Sequence, residues 1–291
     1  MESSDRNALI AVLVAILAAA GIAWAGSQGG ASVAGIPIFA LGVGLAFAIQ
    51  WLAFIPAYVL QTERFYDLTG SITYISVAVL AALVSPVVDD RTILVMAPVL
   101  IWATRLGTFL FGRIMKAGKD SRFDDLKVSF ARFLQTWTLQ GLWVTFTLSA
   151  ALAAITTATR SPLGPLAVIG FVVWAFGFAF EVLADAQKSA FRADPANKGR
   201  FIRTGLWAWS RHPNYFGEIV LWVGVAIIAL PVLRGWQWIT LISPVFVTLL
   251  LTRVSGVPML EKKADERWGG QEDYETYKER TPVLIPRPPG D

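Results

Sequence analysis

Long apolar stretches dominate the chain and are separated by short polar segments. Eight stretches stand out, at residues 8–26, 36–60, 71–88, 92–112, 133–159, 161–184, 215–233 and 235–252. About 20 apolar residues suffice for a helix to cross a bilayer, and a helix satisfies its own backbone polar groups in hydrocarbon. The runs lack the alternation of membrane β-barrel strands. The sequence therefore predicts an all-α, polytopic integral membrane helical bundle.

The seventh stretch has a polar beginning. Only residues 219–233 of it are free of charge, so it needs the polar turn 215–218 to reach membrane length. Pro213 cannot continue a helix from upstream but suits a helix entrance. Asn214 is a favourable N-cap residue. We therefore expect the seventh helix to begin here, with Asn214 as its cap.

The basic residues are distributed unevenly over the connecting segments. With eight spans, 21 of the 25 Lys and Arg residues lie on one side, chiefly in 113–132, 188–211 and 253–291. The positive-inside rule makes that side cytoplasmic. Both chain ends are then cytoplasmic, in a bacterial inner membrane or an ER-like membrane. The sequence of the last forty residues predicts one short amphipathic helix followed by a proline-bounded tail. At the other end, the N-terminal apolar stretch lacks the features of a cleaved signal peptide, so we expect it to be a retained membrane span.

Composition narrows the possible functions. The chain is 55% hydrophobic and 16% charged, whereas soluble domains carry about 25% charged residues. It has no cysteine and one histidine, so we expect no thiol nucleophile, no disulfide and no metal site. The basic residues are spread over membrane-adjacent loops, which argues against nucleic acid as a partner. Membrane lipids and a hydrophobic ligand are the expected partners.

Ionisable side chains at the end of the sixth stretch form a helical face. Glu181, Asp185, Lys188 and Arg192 follow one another at i, i+4, i+7 and i+11, which is one side of a helix. A row of exposed ion pairs would explain this spacing. Glu181 argues for more, because it lies among apolar and small residues where a carboxylate needs a cation or a ligand hydroxyl.

The segment "SRHPNYFGE" (210–218) collects several polar groups before the seventh stretch. Arg211 and His212 could be interfacial anchors, and Glu218 could stabilise the first helical turn through the helix dipole. A capping box would place the acid at position 217, which is glycine, so capping does not account for Glu218. The cluster as a whole is therefore a candidate ligand site.

Two other regions carry ionisable groups near apolar stretches. Arg105 lies inside the fourth stretch and needs an internal partner, whereas Arg113 can extend to the membrane surface. The segment "QTERFYDLTGS" (61–71) contains Glu63, Tyr66 and Asp67 between two stretches. Asp67 could also be only the N-terminal acid of the next helix.

Three segments together resemble a known family. "FEVLADAQKSAFR" (180–192), "GLWAWSRHPNYFGE" (205–218) and "YETYKERTPVLIP" (274–286) are similar to the C-terminal signature of the steroid 5α-reductase family, and more closely to its bacterial branch, an uncharacterised domain family. The resemblance covers roughly residues 60–286. It implies a seven-span core, here with an extra N-terminal span, that binds NADPH and reduces the Δ4 double bond of a 3-oxo steroid or a similar hydrophobic enone. Residues 1–60 would then be N-terminal transmembrane helices, and 61–291 the reductase-like domain with a cytoplasmic tail.

The resemblance also implies roles for individual residues. Asp185 and Arg192 match cofactor-binding residues, Asn214 and Glu218 match the pair that holds the nicotinamide and ribose, and Tyr277 matches a tyrosine that helps close the site. The full cofactor-binding set that we predict is Arg105, Arg113, Glu181, Asp185, Lys188, Arg192, Arg203, Arg211, His212, Asn214, Tyr215, Glu218 and Tyr277. The arginines suit the phosphates, because a guanidinium binds phosphate with two hydrogen bonds.

The sequence departs from the family where the proton donor is expected. Trp102 occupies the place of a catalytic tyrosine, and the glutamine-glutamate pair of the second core helix has its nearest counterpart in "FYDLTG" (65–70). We predict Asp67, Tyr66 and Glu63 as catalytic residues and Trp102 and Tyr58 as substrate-binding ones. Asp67 can act as the acid only if burial raises its pKa. Otherwise Tyr66, Tyr58 or Tyr74 is the better donor.

Three other functions fit parts of the sequence. The isoprenylcysteine carboxyl methyltransferases share "RHP-Y-G" and a similar tail, but their S-adenosylmethionine has no phosphates and would not need the charged face of residues 181–192. A sterol reductase that acts on a different ring double bond is a further alternative. A non-enzymatic lipid-binding or transport protein would leave the carboxylate-arginine clusters unexplained.

Overall fold

A computed structural model of the chain describes residues 3–289 and confirms the all-α membrane bundle. In this range, eight helical segments are long and apolar enough to cross a membrane. The helices are α1 (Ser3–Ser27), α2 (Ile38–Val59), α3 (Tyr66–Val84), α4 (Asp90–Ala117), α5 (Phe130–Thr156), α6 (Pro165–Ala193), α7 (Pro213–Ala229), α8 (Ile242–Leu249), α9 (Val257–Trp268) and α10 (Glu272–Arg280). Two short strands, β1 (Ser32–Val33) and β2 (Ile36–Pro37), form an antiparallel hairpin between α1 and α2.

Large apolar side chains remain exposed along the helices. Leu13, Leu17, Leu52 and Leu83 are each more than half exposed. A soluble monomer rarely leaves so much apolar surface in water. These side chains are therefore suited to contact lipid, as expected for an integral membrane protein.

The chain forms two compact units. The first contains the chain up to Val168 together with Val225–Ser243. Helix α5 is its centre, because it contacts α1, α2, α3 and α4 and most of its apolar window is buried. Four buried alanines, Ala150, Ala151, Ala153 and Ala154, allow the neighbouring helices to approach closely.

The second unit contains Ile169–Gly224 and the chain from Pro244 onward. Its helices α6 and α7 touch through their backbones. A Cβ atom added to Gly177 would lie 2.5 Å from the backbone nitrogen of Leu221, and one added to Gly217 would lie 2.6 Å from that of Glu181. Glycine is therefore required at both positions to bring the end of α6 against the start of α7.

The starts of α4 and α7 differ in how they are capped. Asp89 caps α4 by accepting a hydrogen bond from the backbone N–H of Thr92. Helix α7 begins at Pro213, so the seventh helix starts where expected, but the prediction that Asn214 is its N-cap is wrong. The fixed φ of proline suits the first helical position, and Asn214 then lies inside the first turn.

The C-terminal region is more structured than the sequence indicated. We expected one amphipathic helix, and the structure contains two, α9 and α10, separated by Gly269 and Gly270. Gly270 has φ of +81°, a conformation that favours glycine. Before α9, the backbone widens into a π-helical turn at Leu250–Val254 and breaks at Ser255 and Gly256.

Candidate functional site

Glu63 belongs to the first unit, and both of its carboxylate oxygens accept hydrogen bonds. Its two carboxylate oxygens accept a hydrogen bond from the backbone N–H of Asp120 at 2.8 Å and one from the Lys127 ammonium at 2.9 Å. Burial alone would raise the pKa of Glu63, but these bonds hold it below its ordinary value. Glu63 is therefore an ionised carboxylate that ties the 61–65 segment to the loop after α4.

Tyr66 and Asp67 open helix α3. The Tyr66 hydroxyl donates to the backbone carbonyl of Thr136 at 3.1 Å, and its ring meets the rings of Phe123 and Trp137 edge to face. One oxygen of Asp67 lies 4.0 Å from the Arg113 guanidinium, and the Asp67 side chain is 30% exposed. The first unit thus places a phenol and a carboxylate side by side, near a guanidinium.

The other predicted residues of the first unit lie among aromatic rings. Trp102 is buried, and its ring stands edge to face against that of Tyr74, with centroids 5.1 Å apart. The Tyr58 ring stacks on Phe54. The Arg105 guanidinium lies over the Phe109 ring, 5.0 Å from its centroid. Trp102 is thus enclosed by the protein rather than exposed, and the substrate-binding role of Trp102 and Tyr58 stays a prediction.

In the second unit, the predicted charged face of α6 is largely buried. Glu181 is 2% exposed and Asp185 is 7% exposed. The Lys188 ammonium lies 4.2 Å from the centroid of the Trp207 ring, while Arg192 reaches the exposed end of the helix. In a row of exposed ion pairs on a helix surface, the acidic side chains would be solvated. Glu181 and Asp185 are buried, so exposed ion pairing does not explain their spacing.

The segment before α7 holds a compact charged cluster. Glu261, on α9, places one carboxylate oxygen 2.7 Å from Nε2 of His212 and the other 2.7 Å from the Arg211 guanidinium. Burial lowers the pKa of His212 below its ordinary value, although the Glu261 carboxylate opposes this shift. The imidazole also stacks on the Tyr215 ring, with 10° between the planes. Its position is therefore fixed from two directions.

Two atoms at the start of α7 are among the buried polar side-chain atoms that have no hydrogen-bond partner within residues 3–289. They are Nδ1 of His212 and Oδ1 of Asn214. Burying a polar atom without a partner is unfavourable, and such atoms are rare in native structures. Both therefore indicate a place where a ligand can donate hydrogen bonds. Glu218, one turn further along α7, is half-buried.

The C-terminal tail fixes the segment before α7. The Tyr277 hydroxyl donates to the carbonyl of Trp207 at 2.7 Å, and the backbone N–H of Arg211 donates to the carbonyl of Pro282 at 2.9 Å. Arg203 faces a neighbouring surface groove of about 630 Å³, where its guanidinium lies 3.7 Å from the carboxylate of Asp273. Tyr277 thus supports the site through the backbone.

The second unit therefore contains one group of predicted residues, on α6, on α7, in the segment before α7 and on α10. They are Glu181, Asp185, Lys188, Arg211, His212, Asn214, Tyr215, Glu218 and Tyr277. Arg192 and Arg203 also belong to this unit and are exposed. Arg105, Arg113 and the predicted catalytic residues belong to the first unit, so the role of Arg105 and Arg113 in cofactor binding stays a prediction.

Two features of the site were missed in the sequence. Glu261 follows the eighth apolar stretch in "LEKKADER", which reads as a surface helix, and no local signal distinguishes it from its charged neighbours. The contact between α6 and α7 did leave a signal. Gly170 and Gly177 are seven residues apart, as are Gly217 and Gly224, and such spacing places small residues on one face of each helix.

Fold and site together define a polytopic membrane protein with a buried polar cluster at the ends of its helices. The family to which the chain belongs is described as "Protein of unknown function (DUF1295)", and the match covers residues 53–281. This family is steroid 5α-reductase-like, which supports the resemblance of the three segments at the family level.

Two curated proteins are similar to parts of the chain. The "3-oxo-5-alpha-steroid 4-dehydrogenase 1" of Rattus norvegicus is 28% identical over 123 residues, which cover 42% of each chain. The "Probable O-methyltransferase ustE" of Ustilaginoidea virens is 30% identical over 108 residues, 32% of this chain and 38% of the relative. The chain thus spans about two fifths of the length of the curated relatives it matches. No solved structure matches it significantly.

Proposed function

We propose that the protein is an NADPH-dependent reductase of a carbon-carbon double bond conjugated to a ketone in a hydrophobic substrate, such as a 3-oxo-Δ4 steroid. Family membership and the partial similarity to the rat dehydrogenase support a related reductase-like function. The observation that carries the proposal is the buried polar cluster of the second unit, where two buried carboxylates accompany buried acceptor atoms that the described residues leave unfilled.

The residues of this cluster fit a phosphorylated dinucleotide. Nδ1 of His212 and Oδ1 of Asn214 can accept hydrogen bonds from sugar hydroxyls or from a carboxamide, and the carboxylates of Glu181, Asp185 and Glu218 can do the same. Lys188, Arg192, Arg203 and Arg211 would hold the phosphates. Tyr215 and Tyr277 would support the site from its margins. When bound, NADPH supplies the hydride that reduces the β-carbon of the enone.

The chain's own chemical task is to polarise the ketone and deliver a proton. A donor near the carbonyl oxygen stabilises the negative charge that develops there. In the first unit, Tyr66 and Asp67 are the candidates for this donor. Glu63 is less suited, because Lys127 and the Asp120 N–H keep it ionised.

Binding of the cofactor gives the first test. We expect the purified protein to quench or shift NADPH fluorescence, and NADPH to raise its thermal midpoint. Asn214→Ala and Glu218→Gln should abolish NADPH oxidation in the presence of a 3-oxo-Δ4 steroid panel while leaving the fold intact. The matched control is Glu279→Gln, at an exposed position on α10. Unchanged turnover in both site variants would contradict the proposal.

The proton donor is tested separately. Asp67→Asn should lower kcat for enone reduction while leaving NADPH affinity nearly unchanged, because Asp67 is proposed to act on the substrate. Tyr66→Phe removes the neighbouring hydroxyl and keeps the ring that packs on Phe123 and Trp137. If only Tyr66→Phe lowers kcat, the phenol is the donor. If neither does, the assignment of the acid to the start of α3 is wrong.

A methyltransferase is the second candidate, because part of the chain is 30% identical to a probable O-methyltransferase. S-adenosylmethionine carries a ribose but no phosphate, so Arg192 and Arg203 would have no phosphate to bind in its complex. Thermal protection by S-adenosylmethionine and none by NADPH would favour this function. Protection by NADPH that weakens in the double variant Arg192→Gln/Arg203→Gln would favour the reductase.

A further inference from the structure

His212 is held more tightly than a membrane-surface anchor requires. Its Nε2 atom lies 2.7 Å from one oxygen of Glu261, whose other oxygen lies 2.7 Å from the Arg211 guanidinium. The ring is 4% exposed and stacks on Tyr215 with centroids 5.7 Å apart. These contacts fix both the position and the rotation of the imidazole.

The partner of Nε2 decides where the proton of the ring resides. An ionised carboxylate can only accept hydrogen bonds, and the Arg211 guanidinium keeps Glu261 paired with a cation. Nε2 must therefore carry the hydrogen in its contact with Glu261. A neutral imidazole has one N–H, which leaves Nδ1 with a free lone pair. Burial opposes a second proton on the ring, the Glu261 carboxylate favours one, and the cations Lys188 and Arg211 oppose it, so that the pKa of His212 is lowered on balance.

Nδ1 is buried and has no hydrogen-bond partner in the described part of the chain. We infer that Glu261 is a positioning residue that fixes His212 as the Nε2–H tautomer, so that Nδ1 accepts a hydrogen bond from a hydroxyl or an amide N–H of the bound nucleotide. An ionised phosphate cannot take this place, because both partners would be acceptors. That the donor belongs to a nucleotide rests on the proposed function, whereas the tautomer and the positioning by Glu261 do not.

The chain offers a direct test, since His212 is its single histidine. Protein labelled with ¹⁵N-histidine and purified with an affinity tag free of histidine gives one imidazole in the nitrogen NMR spectrum. At pH 7.5 we expect a protonated Nε2 and a bare Nδ1. A protonated Nδ1, with or without a proton on Nε2, overturns the inference in the wild-type protein alone.

Addition of nucleotide tests the second half of the inference. With saturating NADPH, the Nδ1 resonance should move in the direction of hydrogen bonding, and the Nε2 resonance should stay in place. If fluorescence shows that NADPH does not bind, the proposed reductase function fails, and the same titration is run with S-adenosylmethionine. An Nδ1 resonance that responds to neither NADPH nor S-adenosylmethionine overturns the inference.

Variants of α9 separate positioning from mere stability. Glu261→Gln offers either an N–H or a carbonyl to Nε2, so we expect both tautomers and about tenfold weaker nucleotide binding. Glu261→Asp keeps an acceptor and should restore the Nε2–H tautomer. Glu266→Gln, on the same helix but 62% exposed at its side chain, is the control and should change neither. A Glu261→Gln protein that keeps the wild-type tautomer and affinity contradicts the positioning role, even if its thermal midpoint falls.

Discussion

Glu63 and Asp67 lie four residues apart, yet their surroundings give them different chemistry. Both oxygens of Glu63 are hydrogen-bonded, and one of the donors is an ammonium group. Asp67 has a guanidinium at 4.0 Å and a side chain that solvent partly reaches. A residue that exchanges a proton with a substrate needs an oxygen within hydrogen-bond reach of the reacting group of that substrate. By this criterion Asp67 is better placed than Glu63 to be the acid that we propose, and the contacts of Glu63 are structural.

The pairing of Glu63 predicts a pH-dependent contribution to stability. The folded protein holds the pKa of Glu63 below its ordinary value of 4.5, so this stabilisation is present above about pH 4.5 and is lost as pH falls through the lower, folded-state pKa. Glu63→Gln should destabilise the protein by about 1–3 kcal/mol at pH 7, because hydrogen bonds to a charged group are lost.

Thermal midpoints measured from pH 7 down to pH 3.5 check this prediction. The difference between the wild type and Glu63→Gln should shrink as the pH falls. Glu279→Gln, which alters an exposed carboxylate on α10, should show no such trend. A constant difference across the range would mean that the charge of Glu63 does not contribute to folding.

Among the elements, α6 and α7 depend most on residues without side chains. A Cβ atom on Gly177 would lie 2.6 Å from the carbonyl oxygen of Gly217, and one on Gly224 would lie 2.6 Å from that of Gly170. These contacts are with backbone atoms, which cannot rotate away as a long side chain can. The glycines therefore set the distance at which the carboxylates of α6 face the polar first turn of α7.

Gly177→Ala should force these helices apart and destabilise the second unit by about 1–3 kcal/mol, the usual cost of overpacking. Gly44→Ala is the matched control. Gly44 lies inside α2, and a Cβ atom there meets nothing within 4 Å, so alanine should be tolerated or slightly stabilising through its higher helix propensity. Tryptophan fluorescence during thermal unfolding in detergent measures both variants. Equal midpoints for the two would show that the helices adjust without cost.

At the same scale, some elements follow from local sequence and others do not. The apolar stretches predict the spans, because bilayer thickness fixes the length of a spanning helix. The N-cap of α7 was predicted wrongly as Asn214, because the preference of proline for the first helical position starts the helix earlier, at Pro213. Glu261 was missed because its role exists only through its contacts with Arg211 and His212, which lie about 50 residues earlier. The charged face of α6 was predicted from spacing alone, whereas the burial of Glu181 and Asp185 depends on packing.

For the whole molecule, the distribution of charge sets the orientation that we predict. Of the 25 Lys and Arg residues, 21 fall on the side that holds the polar cluster of the second unit under an eight-span topology. The eight membrane-length helices in residues 3–289 fit that topology. From the positive-inside rule we predict that this side faces the cytoplasm, where the NADPH that we propose as cofactor would reach the site.

Because the chain has no cysteine, single cysteines can report its orientation without a background signal. Lys119 and Lys262 have side chains that are 65% and 79% exposed, and both belong to the predicted cytoplasmic side. Val87 and Leu163 are 49% and 45% exposed and lie in two of the four connections predicted to face the opposite side. After expression in a bacterial inner membrane, a maleimide that cannot cross the bilayer should label Val87→Cys and Leu163→Cys in spheroplasts. It should label Lys119→Cys and Lys262→Cys only in inverted vesicles. The reverse result would place the polar cluster outside the cytoplasm, away from the cellular NADPH pool, and would contradict the reductase proposal together with the topology.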